Sequence, residues 1–124
     1  MAALAVLLLR STDEPDVAVA ALRSAHGAAL RPRRGPQPAP ALLLEAEGAR
    51  LAAKGVADVL SGGGRPDVRA LLEGFQKAGG RVLVSAAAWR ERGYQDDALV
   101  PGAVLVGAEA LADLAAEGLA IASF

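Results

Sequence analysis

Consecutive apolar runs, rather than strict alternation, mark the strand positions of this chain. Ala3-Leu4-Ala5-Val6-Leu7-Leu8-Leu9 is the first, inside an apolar start that reaches back to Met1. Runs of this kind suit strands buried on both faces, the condition of a parallel sheet. Shorter runs recur at Ala41 to Leu44, which ends at Glu45, at Arg81 to Ser85, at Ala103 to Val106 and at Leu119 to Phe124. Five predicted strands result.

Helical spacing fills the intervals. Pro15 stands where a first-turn proline belongs, behind the candidate caps Thr12 and Asp13. The spacing of Val17, Ala21, Ala25 and Ala28 predicts a helix over about 15–30. Arg31 to Pro40 holds four prolines in ten residues and predicts an exposed loop. Glu47 to Leu60 reads as helical with interruptions near Gly48 and Gly55, and Ser61 to Pro66 as a flexible connector. The clearest helix follows. Asp67 can cap it, Val68, Leu71, Leu72 and Phe75 make one apolar face, and Gly79-Gly80 stops it after Lys77. Ala86 to Arg92 predicts a short helical turn ended by Gly93. Tyr94 to Pro101 is polar and irregular. A last helix carries the stripe Leu111, Leu114 and Ala115 up to Gly118. Strands alternating with helices predict an α/β fold of three layers, α/β/α, with a parallel five-stranded sheet and right-handed crossovers.

Size and composition narrow the function. With 124 residues the chain is expected to form one domain over 1–124. Aromatics make up only 3%, so Ala, Val and Leu must build the core. The formal net charge of −1 provides no general field for nucleic acid or anionic lipid. Cysteine is absent and histidine occurs once, as His26. That removes disulfides, thiolate-held metals, multi-histidine sites and cysteine nucleophiles. The apolar start lacks a basic leader and falls short of the ~20 residues a membrane-spanning helix requires. It reads as a buried strand, with a cleaved leader as the alternative. The expected location is the cytoplasm, with no membrane partner.

Ligands of open parallel sheets bind beyond the carboxyl ends of the strands. The candidate pocket there consists of Arg10, Ser11 and Thr12 after the first strand, Glu47 after the second, and Ser85, Trp89 and Arg90 at the third. Glu45 and Glu109 flank the same ends. The competing reading is a set of solvated loops. Ser85 lacks a nucleophile elbow, and no spacing brings His26 to it. Gly62-Gly63-Gly64 follows a helix and precedes Arg65-Pro66, so it is a linker rather than a phosphate loop. Gly107 lies between a strand and a helix start, where backbone N–H groups can hold an anion. Arg31, Arg33 and Arg34 make a small basic loop without stacking aromatics, which argues against nucleic acid. Trp89 and Tyr94, with Arg90 and Arg92, offer an interface anchor, a pocket wall or plain core. Asp96-Asp97 has too few neighbours for a metal. A phospho-acceptor receiver domain would carry acids after strand one, Asp after strand three and Lys after the last strand. Leu9-Arg10, Ser85 and Phe124 stand there instead. No catalytic constellation, cofactor or metal site is expected.

Three stretches together resemble the DsrE/DsrF/TusD-like family of sulfur-relay proteins. They are Glu47 to Asp58, Val82 to Gly93, and Val104 to Phe124, the last with Gly107 and the terminal Phe124 in the expected places. The resemblance covers nearly the whole chain. It implies a DsrE-like fold and, for the family's carriers, a cysteine at the end of the site-bearing strand, sometimes with a second three residues later. Ser85 and Ala88 occupy those positions here, and a hydroxyl cannot hold a persulfide. Departures are the proline-rich loop before strand two and the irregular stretch from Tyr94 to Gly102. The resemblance further implies a homo-oligomer, trimer or hexamer, or a hetero-complex with cysteine-bearing DsrE-type subunits. The expected role is that of a non-catalytic subunit. A small-molecule-binding protein or cysteine-independent enzyme using the strand-end pocket is the alternative.

Overall fold

A computed structural model describes residues 3–33 and 35–124; Met1, Ala2 and Arg34 of the basic loop lie outside the described residues. Five strands, β1 Leu4–Leu8, β2 Ala41–Leu44, β3 Arg81–Ser85, β4 Val104–Val106 and β5 Ala120–Ser123, form one sheet in the order β4-β3-β2-β1-β5. Every neighbouring pair is parallel. Burial follows this order. Central β2 is buried at all four positions, whereas edge strands β4 and β5 are half-buried or exposed.

Helices α1 Pro15–Leu30, α2 Val56–Leu60 and α3 Val68–Lys77 pack over one face. Their apolar residues join Val6, Leu8, Leu42, Leu44, Val82 and Val84 in the main core. The alternate strand residues Ala5, Ala41 and Leu43 face the other way and meet Ala110, Leu114 and Leu119, in and just after α5 Ala110–Ala116. The three-layer α/β/α arrangement therefore follows from the period-two reversal of side chains along strands buried on both faces.

Most element boundaries match the sequence pattern, and the departures have local causes. No side chain caps α1: its N-cap is Glu14, and the Asp13 carboxylate accepts from the Ser11 N–H instead. Thr12 is exposed. The buried side of α1 is Ala18, Val19, Ala21, Leu22, Ala25 and Ala29, with Val17 and Ala28 half-buried. The segment after β2 is a 3₁₀ helix over Ala46–Ala52, followed after a break by α2. On α5, Ala110 and Leu114 face the sheet, while Leu111 and Ala115 are exposed. Asp67 caps α3 as expected, accepting from the Ala70 N–H at 3.0 Å. Gly79 ends that helix in the left-handed region at φ +93°, open to glycine without the Cβ penalty.

Candidate functional site

The carboxyl ends of β1, β2 and β3 lie side by side, because Leu8 pairs with Leu44 and Leu44 with Val84. Two strand spacings, roughly 10 Å, separate the first end from the third.

Beyond β1 the chain turns tightly. The Leu9 N–H donates to the Phe124 carbonyl at 3.0 Å, which ties the chain terminus to this end. The Ser11 N–H donates to Asp13 at 2.9 Å, and Arg10 pairs with the same carboxylate at 3.2 Å. The Ser11 N–H, more than Arg10, holds the Asp13 carboxyl below its usual range. The Ser11 side chain is fully buried, and its Oγ has no hydrogen-bond partner.

Beyond β2 the backbone is unusual. Ala46 has φ +52°, a left-handed conformation that L-residues adopt at a cost. The Glu45 carboxylate accepts from the Ala46 N–H at 3.3 Å. Gly48 then passes over the end of β1. A Cβ there would collide with the Leu8 carbonyl oxygen, so only glycine fits.

Glu47 stands at the centre of the charged cluster. It accepts from Arg50 Nε at 2.6 Å and from Arg92 Nε at 3.2 Å. Arg92, just after α4 Ala86–Glu91, also donates to the Ala88 carbonyl at 3.0 Å. Arg50 reaches the Tyr94 hydroxyl at 3.4 Å, and the Tyr94 ring stacks on Trp89 with centroids 4.6 Å apart. The hydrogen bond from Arg50 is the main reason that the Glu47 carboxyl is held below its usual range, and Arg92 adds to it. Glu47 in turn raises Arg50.

Ser85 closes β3. Its Oγ accepts from the Ala88 N–H at 3.2 Å, so the hydroxyl serves as the N-cap of α4. The residue is 7% exposed. His26 lies elsewhere, against Gly74 of α3, where a Cβ would approach its Nε2 to 2.9 Å. Ser85 and His26 therefore form no nucleophile–base pair. At Gly107 the Glu109 carboxylate already lies over the backbone, 2.6 Å from where a Cβ would sit. An incoming anion would meet that carboxylate. Among the described residues, no group of three or more His, Asp or Glu is placed to hold a metal ion.

The chain matches the DsrE/DsrF-like family over residues 3–124, a span that takes in β1, β2, β3 and all three strand ends. The chain belongs to the DsrE/DsrF-like family. Its fold is that of DsrE-like structures. The ychN protein from E. coli superposes with a TM-score of 0.76 over 100% of both chains, at 17% identity. The protein of unknown function MTH1491 from Methanobacterium thermoautotrophicum gives a TM-score of 0.65 over 97% of each chain, at 14% identity. No curated protein matches the chain.

Within this DsrE-like frame the candidate residues separate into groups. Glu47 and Trp89 share one network, joined by Arg50, Arg92 and Tyr94. Trp89 is fully buried and is core, with its Nε1 unpartnered. Arg10, Ser11 and Thr12 form the β1 turn, and Ser85 caps α4. Arg90 leaves the group: it is exposed and pairs with Asp96 at 3.8 Å. Among the sequence signals, the i,i+3 spacing of Glu47 and Arg50 on a helical segment could have exposed that pair. Arg92 joins across 45 positions, a separation no local spacing reveals.

Proposed function

We propose that this DsrE-like protein is a non-catalytic subunit that cannot carry persulfide and that works within an oligomer. The assembly is a homotrimer, a homohexamer or a complex with cysteine-bearing DsrE-type subunits. One observation carries the reading: at the end of β3, which the family resemblance matches to the carriers' cysteine position, the side chain is the Ser85 hydroxyl, engaged as a helix cap. The chain has no cysteine to replace it. Sulfur transfer by persulfide needs a thiolate at the attacking atom.

The sheet supports the assembly part of the reading. Among the described residues, the helix over one face is α5 alone, 7 residues long. Around it Val104 is 54%, Ile121 40% and Leu111 39% exposed. Val104 and Ile121 lie on the two edge strands, so apolar side chains are exposed at both margins of this face, and exposed apolar surface is a mark of protein contacts. Native mass spectrometry tests the reading together with treatment by a sulfane-sulfur donor. The expected result is a trimer, a hexamer or a mixed complex whose subunit mass gains no sulfur. A strict monomer that also finds no DsrE-type partner overturns it.

A second reading, a small-molecule site at the strand ends, has its own support. The unpartnered Ser11 Oγ and the left-handed Ala46 lie at adjacent strand ends, and such features collect at ligand sites. A stoichiometric small molecule released on denaturing the purified protein would favour it over the first.

A further inference from the structure

β5 ends the sheet, and among the described residues no strand pairs with its outer edge. Its inner edge fixes which groups face outward. The Ala120 N–H donates to the Ala3 carbonyl and the Phe124 N–H to the Leu7 carbonyl, while the Phe124 carbonyl accepts from the Leu9 N–H. Backbone groups alternate between the two sides of a strand, so Ala122 turns to β1 with Ala120 and Phe124. The N–H and C=O of Ile121 and Ser123 therefore point away from β1, and both residues are exposed. The other edge offers less. The Arg81 N–H bonds towards β2, so Val84 bonds towards β4, where Val104 and Val106 flank Leu105, its opposite number. Of the β4 residues only Leu105 is left facing outward. Native edges are blunted by lysine, proline, a bulge or a covering element. β5 reads Ala-Ile-Ala-Ser, with neither charge nor proline.

We propose that β5 pairs antiparallel with β5 of a second copy about a two-fold axis at Ala122, doubling the five-stranded sheet. Ile121 of each copy stands opposite Ser123 of the other. Opposed residues in such a site exchange both N–H···O bonds, so every outward group of Ile121 and Ser123 finds a partner. Centring the axis on Ile121 instead would set Ser123 against Leu119, whose N–H is already given to the Leu114 carbonyl. At the axis Ala122 meets Ala122 in the non-hydrogen-bonded site, where Cα atoms approach to about 4.5 Å and two methyls fit. No like charges face each other, and the two Ile121 side chains lie diagonally across the axis on one face, within reach. The occupant is thus this strand itself. The pairing rests on the assembly reading only in requiring a second copy: it joins two trimers into a hexamer, or two chains into a dimer.

The chain has no cysteine, so introduced thiols report the axis without interference. Ala122→Cys should give a disulfide-linked dimer under mild oxidation, reversed by reductant, because the Cα spacing is one a disulfide spans. Ala120→Cys lies opposite Phe124 in this register, four residues or about 13 Å along the strand from its own mate, and should stay unlinked. Ser123→Pro deletes an outward N–H and leaves the bonds to β1 in place, so the native mass should fall by half, while Ser123→Thr should keep it. Circular dichroism reports folding, and the thiol pair decides if the proline variant does not fold. Equal linking at both positions, no link at 122, or undiminished mass in folded Ser123→Pro overturns the pairing. A wild-type trimer without a link at 122 overturns it and leaves the subunit role standing. A wild-type dimer that links at 122 upholds it and removes the trimer and hexamer.

Discussion

Arg92 holds Glu47 across 45 positions of sequence, its Nε donating to the carboxylate at 3.2 Å. The bond joins the helix after β3 to the 3₁₀ segment after β2. It therefore fixes two strand ends relative to each other, and with them the Ser85 cap. Arg50 completes the clamp from the other side at 2.6 Å. Exposed ion pairs contribute little. This one is set apart by the low exposure of Arg92, 17% for its side chain, and by its second bond to the Ala88 carbonyl.

Arg92→Met should therefore lower the melting temperature by about 4 °C, keeping the apolar stem but losing both bonds. Arg90→Met, which removes only an exposed contact with Asp96, should leave it within about 1 °C. Equal losses in the two variants would show that the clamp has no special role.

Acid should loosen the same region. Hydrogen bonds from Arg50 and Arg92 depress the folded-state Glu47 carboxyl below 4.5. The Ser11 N–H and Arg10 likewise depress Asp13 beyond β1, and Arg81 depresses Glu117 at the opposite end of the sheet, so acid acts there too. A depressed folded value means that the stabilisation is complete above the unfolded value and is lost as pH falls through the folded one. Urea midpoints should be level from about pH 7 to about pH 5 and drop below that. Glu47→Gln should show a lower midpoint at neutral pH and a shallower acid drop. An unchanged acid slope in that variant would contradict the assignment.

Two glycines should respond to alanine in opposite directions. At Gly48 the added methyl meets the Leu8 carbonyl, main chain that cannot rotate away. Gly48→Ala should cost about 3 kcal/mol. Gly27 lies inside α1, where a Cβ meets nothing within 4 Å. Gly27→Ala should stabilise by about 1 kcal/mol through helix propensity. Chemical denaturation of both variants checks the pair.

The contrast between Gly48 and Gly27 also shows what was legible beforehand. The strands were legible because β1, β2 and β3 are buried on both faces, and such burial demands unbroken apolar runs. The bounds of α1 were legible from Pro15 and the helical spacing. Its N-cap was not, since Asp13 turns to Ser11, a choice made by the local turn rather than by residue type. In the sequence both glycines fall within predicted helical stretches, 15–30 and 47–60. Only the passage of Gly48 over β1 separates them, and that is a long-range fact. The candidate site fared similarly. Ser85 closes β3, as the apolar run ending there predicts. The Glu47–Arg92 bond depends on strand order, and Arg90, two residues earlier, points elsewhere.

Introducing a thiol tests the place of Ser85. Ser85→Cys keeps the side chain beside the Ala88 N–H at the start of α4, a setting that favours thiolate. The variant should gain one sulfur atom from a sulfane donor, detected by mass and removed by reductant. Ser85→Ala should gain none and should lose about 1 kcal/mol with the cap. A correctly folded Ser85→Cys that stays unlabelled would separate this position from the carriers' cysteine.

The thinly covered sheet face gives the last prediction. Register places Ile121 beside Ala5 and Val104 beside Leu83, both on the α5 side. Both side chains are already exposed in the single chain, so charging them should cost folding only about 0.5 kcal/mol. In an assembly that buries this face the same charges would lose their hydration, a far larger penalty. Val104→Lys with Ile121→Lys should thus reduce the native mass to that of one chain while the far-ultraviolet spectrum stays unchanged. Val59→Lys, 69% exposed on α2 over the opposite face, should leave the assembly intact. If the double variant keeps its full mass and the α2 variant falls apart, subunits meet through the helical layer, and the open face needs another explanation.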